Sequence, residues 1–159
     1  MLDAILKLTY QKRPTHNLGY CIDWLFKGTV QLSHRDLISQ PLKDHNMEKS
    51  QSVKTPCNSN LLKELEVIGD PISITSYQKA IGSLNYLDQH TRPDISYTVN
   101  ALLRYASHPT ARHWVALKPL FRYLKGSSGL CLHYSNQDTH SCDGLVGWAD
   151  ADYANDKVE

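Results

Sequence analysis

The sequence predicts an α+β fold, with helices and short antiparallel strands in one chain. Apolar residues alternate over short stretches towards both ends of the 159 residues and recur at helical spacing between them. The 41% hydrophobic content is enough to form an ordinary core. No apolar run approaches the roughly 18–20 residues that a membrane helix needs.

A small β-hairpin is predicted first. Residues 19–26 and 29–32 alternate in polarity, and Lys27-Gly28 forms the turn between them. A helix should follow from His34. Ser33 is a favourable N-cap residue for it, with Asp36 as a weaker capping-box partner.

That first helix is predicted to kink or end at Pro41, because proline lacks the amide donor and its ring clashes with the preceding turn. The polar stretch 45–74 is predicted to be a linker with one short helix over 60–67. Together these features give a hairpin, a kinked helix and a linker in the first half of the chain.

The middle of the chain is predicted to be mostly helical. Ser76 should cap a helix over 77–88, Pro93 suits the first turn of a second helix, and a third should run over 110–125 with a bend at Pro119. The expected apolar positions are Tyr77, Ile81, Leu84, Leu87, Ile95, Val99, Leu102, Leu103, Ala106, Trp114, Leu117, Phe121 and Leu124.

Two strands are predicted near the C-terminus, over 130–134 and 145–149, forming a second hairpin. The four cysteines form no C-x-x-C pair and no secretory signal is recognisable, so free thiols and an intracellular location, cytoplasmic or nuclear, are expected. The chain is not expected to interact with a membrane.

The net charge of +1 conceals two oppositely charged blocks. Residues 89–129 carry six Lys or Arg and one acid, whereas residues 130–159 carry one Lys and six acids. A basic block followed by an acidic block indicates two different roles.

Five landmarks follow one another between Tyr77 and Leu130 in YQKAIGSLNYLDQHTRPDISYTVNALLRYASHPTARHWVALKPLFRYLKGSSGL. They are a tyrosine, Gly-Ser-Leu, Thr-Arg-Pro-Asp-Ile, His-Trp and Arg-Tyr-Leu-Lys-Gly. In this order they resemble the polyprotein of copia-type retrotransposons. Upstream, LGYCIDWLFKGTVQLSHRDLI and VKTP resemble its hairpin, helix and Val-x-Thr-Pro element. Downstream, LVGWADADYAND resembles the first strand of its ribonuclease H.

The resemblance implies three segments. Residues 1–75 would be the end of a reverse transcriptase palm, a thumb-like helix and a linker. Residues 76–128 would be a helical connection segment, and 129–159 the truncated N-terminal strands of a ribonuclease H-like domain, whose hairpin begins an unfinished sheet. The sequence departs from the family pattern at His34, where Gln is usual, and at Pro41 and Pro119, where helices without proline are usual.

Asp150 and Asp152 are the candidate catalytic residues. Two apart on one strand, they share a face, and carboxylates suit the Mg²⁺ or Mn²⁺ of a two-metal nuclease. The resemblance makes Asp150 a vestigial ligand in an incomplete metal site and Asp152 a possible one; the alternative is a solvated strand end. No cofactor is expected in this chain. The intact parent enzyme is expected to use Mg²⁺ or Mn²⁺.

A basic stripe is the candidate nucleic-acid surface. Lys118, Arg122 and Lys125 share one helix face, and Arg104 and Arg112 add charge nearby. Such residues contact phosphates without reading sequence. The alternative is an ordinary solvated helix face. The aromatic residues Tyr77, Trp114, Phe121 and Tyr123 fit a core better than a base-stacking surface.

The sequence therefore indicates a fragment of a reverse transcriptase and ribonuclease H polyprotein, without catalysis of its own. The polymerase's Tyr-x-Asp-Asp turn does not occur in the 159 residues. Expected partners are RNA–DNA or DNA duplexes, bound weakly and independently of sequence, and the rest of the polyprotein. The alternative is a small helical module whose basic face binds a protein or RNA.

Overall fold

The structure, a computed structural model, describes residues 12–135. Within this range a four-stranded antiparallel sheet is combined with five α-helices, which confirms the predicted α+β class. The predicted strand 145–149 lies outside the described residues. Between residues 12 and 135, no helix has both the length and the apolar character needed to cross a bilayer.

The sheet begins with the predicted hairpin and one additional short strand. Strands β1 (His16–Asn17), β2 (Tyr20–Trp24) and β3 (Val30–Ser33) pair in order, each antiparallel to the next. Leu18 and Gly19 connect β1 to β2 with φ of +47° and +83°. Two positive φ values in a two-residue connection are typical of the turn that matches strand twist, and glycine adopts them without steric cost.

The fourth strand, β4 (Leu132–Tyr134), pairs with β3, so the sheet order is β1-β2-β3-β4. It forms within the predicted range 130–134. Its partner is the N-terminal hairpin, and Gln31 lies opposite His133 in the ladder. The sheet therefore joins the two ends of the described chain.

The five helices overlap the regions that the sequence predicts to be helical. Their bounds are α1 Arg35–Asp44, α2 Leu61–Leu65, α3 Ile74–His90, α4 Ser96–Leu103 and α5 Ala111–Gly126. Short 3₁₀ turns at Phe26–Gly28 and Pro93–Ile95 precede β3 and α4. The helices α1 and α5 continue past Pro41 and Pro119, so neither proline ends its helix.

Two predicted helix caps are wrong. Ser33 is the last residue of β3, where it pairs with Cys21, and the N-cap position of α1 is His34. The N-cap of α3 is Ser73, whose hydroxyl accepts the backbone N–H of Ser76 at 3.3 Å. Ser33 is held in the β3 ladder and His34 makes no side-chain cap bond, whereas in α3 the earlier serine, Ser73, takes the cap position.

One hydrophobic cluster spans α1 to α5. Most of the predicted apolar positions are fully buried in it, and Leu103, Ala106 and Trp114 are partly buried against it. Ile38 and Leu42 of α1 and Leu61 and Leu65 of α2 belong to the same cluster. This core thus includes residues from both the 1–75 and the 76–128 segments, whose boundary stays a prediction.

Candidate nucleic-acid interface

The predicted basic stripe lies on the C-terminal half of α5. At about 100° per residue, Lys118, Arg122 and Lys125 fall within roughly 60° of one another around the helix axis. Lys118 is exposed, and the other two are half-buried. The helix therefore brings the three cations onto one face, as the sequence predicts.

Two of these three cations also bind the chain itself. Arg122 Nε donates to the carbonyl of Gln51 at 2.6 Å, and Lys125 Nζ donates to that of Ser50 at 2.7 Å. A Cβ on Gly126 would lie 2.8 Å from Ser52 Cβ, so only glycine allows this loop so close to the helix. The Arg-Tyr-Leu-Lys-Gly landmark thus holds the loop at residues 50–52 against α5.

The remaining predicted cations lie elsewhere. Arg104 is exposed at the C-cap of α4. Arg112 is exposed near the start of α5, about 120° around the axis from Lys118. It lines a depression of about 350 Å³ with Gly69, Asp70 and Val115. The structure therefore does not place Arg112 on the stripe.

A buried arginine, which the sequence analysis did not single out, organises the end of α5. Arg92 is 1% exposed and donates from Nε and Nη2 to the two carboxylate oxygens of Asp94, at 2.9 and 2.8 Å. It also donates to the carbonyl and hydroxyl oxygens of Ser127, and Tyr123 donates to Asp94 at 2.7 Å. We call Arg92, Asp94, Tyr123 and Ser127 the Arg92 junction.

The electrostatics of the Arg92 junction follow from these contacts. Burial opposes ionisation of Asp94, but the hydrogen bonds from Arg92 and Tyr123 outweigh it and lower the pKa of the carboxyl. Burial and the bond to Asp94 raise the pKa of Tyr123. The Arg92 guanidinium also lies 5.5 Å from the centre of the Tyr123 ring, within cation–π range. The junction therefore combines a charged carboxylate with a neutral phenol.

The other aromatic landmarks are structural as well. Tyr77 is fully buried and donates to the carbonyl of Leu102 at 2.9 Å. His113 is buried, accepts the backbone N–H of Thr110 through Nδ1 and lies 3.0 Å from the carbonyl of Leu65 through Nε2. These contacts fix the start of α5 and tie it to α2.

A second polar group is buried where the hairpin meets α3. His34 is 1% exposed, and its Nδ1 lies 2.8 Å from the hydroxyl of Thr91. Its ring packs against Tyr20, Tyr86 and His90, with centroids 4.3, 5.4 and 5.8 Å away. We call these four rings the His34 cluster. Within residues 12–135, His34 Nε2 has no hydrogen-bond partner.

The charge state of His34 is set by its surroundings. Burial, assisted by the nearby His90, lowers the pKa of His34. The Ser33 hydroxyl beside it is also buried without a partner in the described part of the chain. The neutral form of His34 is therefore favoured, and within residues 12–135 the centre of the His34 cluster is incompletely hydrogen-bonded.

An apolar groove of about 530 Å³ lies between the hairpin turn, α1 and α3. Leu18, Leu37, Pro41 and Leu87 line it, and an ion pair between Lys79 and Asp44 lies beside them at 3.0 Å. Leu18 is 79% exposed at the groove. The groove lining is mainly apolar, with the polar side chains of Gln40, His45 and Ser83 also at it.

The predicted acidic site, Asp150 and Asp152, lies outside the described residues. Sequence reasoning missed the Arg92 junction, although the Thr-Arg-Pro-Asp-Ile landmark contains two of its members. The close spacing of Arg92 and Asp94 could have indicated an ion pair. Nothing local indicated Ser127, which lies 35 residues further along the chain.

The comparisons with known proteins agree with the landmarks. The chain is 33% identical over 131 residues to a retrovirus-related Pol polyprotein from transposon TNT 1-94 of Nicotiana tabacum, covering 79% of this chain and 10% of that protein. It is 37% identical over 130 residues to the corresponding polyprotein from transposon RE2 of Arabidopsis thaliana, covering 80% of this chain and 8% of that protein.

A third relative has a different description. The secreted RxLR effector protein 161 of Plasmopara viticola is 40% identical over 80 residues, which cover 50% of this chain and 54% of the effector. No family model and no solved structure matches the chain. The chain is thus related to retrotransposon Pol polyproteins and spans about a tenth of their length.

Proposed function

We propose that the chain is a fragment of a retrotransposon reverse transcriptase and ribonuclease H polyprotein that binds nucleic-acid duplexes weakly and has no catalysis of its own. The observation that carries this proposal is the relation to Pol polyproteins over four fifths of the chain. In the parent, the activity would be RNA-templated DNA synthesis with removal of the RNA strand. This chain would contribute the segment that joins the two enzymes.

The position within the polyprotein is supported by the order of the landmarks. A hairpin and helix come first, then the helical block with the Arg92 junction, then a strand and the acidic end of the sequence. This is the order expected for the end of a palm, a connection segment and the start of a ribonuclease H. The residue boundaries 75/76 and 128/129 belong to this proposal.

The binding surface would be the basic face of α5. Lys118 is exposed, and the loop contacts of Arg122 and Lys125 leave their positive charges in place while restricting their side chains. Lys and Arg near phosphates release counterions and give affinity without choice of sequence. The duplex would be RNA–DNA or DNA, and the other partner would be the rest of the polyprotein.

The lack of catalysis follows from the ligands that metal-dependent chemistry requires. Two-metal nucleotidyl transfer and ribonuclease H cleavage both need several carboxylates that converge from different elements. The 159 residues contain no Tyr-x-Asp-Asp turn, and Asp150 and Asp152 lie at the end of one predicted strand. Asp150 would be a ligand position without its partners, with Mg²⁺ or Mn²⁺ bound only in an intact parent.

The salt dependence of duplex binding tests the proposal. Three phosphates neutralised on B-form DNA predict a log–log slope of about −2.7. Replacing Lys118, Arg122 and Lys125 with Gln should flatten that slope and weaken RNA–DNA and DNA duplexes alike. Fluorescence anisotropy over a salt series measures both, and an RNA–DNA hybrid should stay uncut with Mg²⁺ or Mn²⁺.

Two controls keep the test specific. Lys63→Gln removes one charge from an exposed position on α2 and should leave the slope unchanged. Lys118→Gln removes the stripe cation that the loop does not hold. It should make the log–log slope shallower by about 0.9, the contribution of one phosphate, even if the triple variant is less stable. If the triple variant binds as the parent does, the stripe is a solvated face and the duplex-binding proposal is wrong.

A further inference from the structure

Three side chains with metal-ligating atoms meet where the hairpin contacts α1. His16 is on β1, Cys21 is its direct partner on β2, and Asp36 is in the first turn of α1. One ligand atom from each lies within 4.8 Å of the other two. Cys21 Sγ is 3.2 Å and His16 Nε2 is 3.4 Å from the same oxygen, Asp36 Oδ2.

From this geometry we propose that His16, Cys21 and Asp36 form a zinc site. Tetrahedral zinc with Zn–S near 2.3 Å and Zn–N or Zn–O near 2.0–2.1 Å places neighbouring ligand atoms about 3.3–3.6 Å apart. The two separations to Asp36 Oδ2 are close to these edges. The third pair of ligand atoms, His16 Nε2 and Cys21 Sγ, lies within 4.8 Å, so small side-chain rotations would bring all three atoms to one ion.

The chemistry of the three ligand atoms determines which metal ion the site prefers. A thiolate, an imidazole and a carboxylate suit Zn²⁺, whereas Mg²⁺ requires oxygen ligands and dehydrates reluctantly. The site therefore differs in kind from the Mg²⁺ or Mn²⁺ chemistry proposed for the parent polyprotein, and it does not depend on that proposal.

The surroundings allow an ion to enter and to stay. Cys21 is 1% exposed, whereas the side chains of His16 and Asp36 are 64% and 67% exposed, so one side opens to solvent. That open side leaves the fourth position for water. His16 Nδ1 lies 3.3 Å from the Thr15 hydroxyl, which would orient Nε2 as the ligand.

Binding replaces hydrogen bonds that the three residues now make. The Cys21 thiol donates to Asp36, so Zn²⁺ would take the thiolate and the proton would leave to solvent. The nearby cation Arg35 is paired with Asp23, at 2.7 and 3.2 Å. The bound ion would tie β1 and β2 to the first turn of α1.

Titration of the full chain with Zn²⁺, and with Co²⁺ as a spectroscopic substitute, tests the site. We expect one ion per chain with micromolar or tighter affinity, a thiolate-to-Co²⁺ charge-transfer band, and a higher melting temperature with Zn²⁺. Changing Cys57, Cys131 and Cys142 together to Ser should leave the band intact, because only Cys21 supplies the thiolate.

Variants of the two exposed ligands, His16 and Asp36, separate loss of Zn²⁺ binding from loss of the fold. His16→Gln and Asp36→Asn should each weaken Zn²⁺ binding at least tenfold without unfolding the protein, and Cys21→Ser should abolish the charge-transfer band. If the band survives Cys21→Ser, or if His16→Gln and Asp36→Asn both bind Zn²⁺ as the parent does, the assignment is wrong.

Discussion

The Arg92 junction and the His34 cluster are both polar groups buried between distant parts of the chain, yet they differ in completeness. Arg92 makes four hydrogen bonds to two partners, and its partner Asp94 receives a further one from Tyr123. His34 makes one, and its Nε2 has no partner within residues 12–135. A buried polar group stabilises a fold only when its hydrogen bonds are complete.

The two groups also differ in their relation to the copia-type landmarks. The Arg92 junction is built largely from landmark residues, those of Thr-Arg-Pro-Asp-Ile and the tyrosine of Arg-Tyr-Leu-Lys-Gly. The His34 cluster is centred on a position where the sequence resemblance predicts Gln. The landmark residues of the Arg92 junction are thus hydrogen-bonded, whereas in the described part of the chain His34 Nε2 and the neighbouring Ser33 hydroxyl are not.

The largest effect is expected from Arg92→Met. This change leaves the carboxylate of Asp94, whose side chain is 32% exposed, without its buried cation. Removing one member of such a pair should lower the free energy of unfolding by about 3 kcal/mol. Urea denaturation measures the loss. The exposed pair Arg35–Asp23 provides the control, since Arg35→Met should cost about 1 kcal/mol or less.

A second variant keeps this prediction testable if Arg92→Met does not fold. Adding Asp94→Asn removes the stranded charge, so the double variant should be more stable than Arg92→Met alone. A double variant that is no more stable would mean that Asp94 gains little from Arg92, and the contrast with the His34 cluster would disappear.

Pro119→Arg tests another departure from the family pattern, the proline inside α5. Pro119 lies within α5, one turn before Tyr123 of the Arg92 junction, and proline removes the amide that would bond to the carbonyl of Val115. A proline inside a helix costs roughly 3 kcal/mol, so the variant should gain somewhat less than this and raise the melting temperature.

Differential scanning calorimetry measures that gain, and Pro119→Ala separates removal of the ring from addition of a charge. An unchanged melting temperature in both variants would show that the Arg92 junction holds the end of α5 in place whatever the hydrogen bonding at Val115.

The smallest effect is expected from His34→Gln. The Gln amide can both donate and accept without titrating, and satisfying a buried polar atom is worth about 1 kcal/mol. The stability gained by His34→Gln should grow below pH 6.5, the ordinary pKa of a histidine. Because its pKa is lowered in the fold, the unfolded chain binds the proton first, and stability falls as the pH decreases through this window.

Urea denaturation between pH 5 and pH 8 tests this dependence. Burial also lowers the pKa of His45, so His45→Gln should remove another part of the same slope. A His34→Gln variant with the parent's slope would show that His34 is not responsible for the loss of stability in acid.

Much of the fold could be predicted because its signals are local. Apolar spacing located the helices in the middle of the chain and most of the buried positions there, such as Tyr77 and Leu84. The helix caps were less predictable, because Ser33 is held in the β3 ladder and Ser73 caps α3 three residues before Ser76. The stripe on α5 was also predictable from spacing, whereas its contacts with the loop at Gln51 were not.

The sequence by itself determined the helical periods, the hairpin, the order of the landmarks and the positions of the charges. Only the tertiary structure decided which polar groups meet. Arg92 reaches Ser127 over 35 residues, His34 reaches Thr91 over 57, and Gln31 of β3 lies opposite His133 of β4. Periodicity depends on neighbours one turn away, whereas these partners are selected when packing of the apolar core brings distant backbone together.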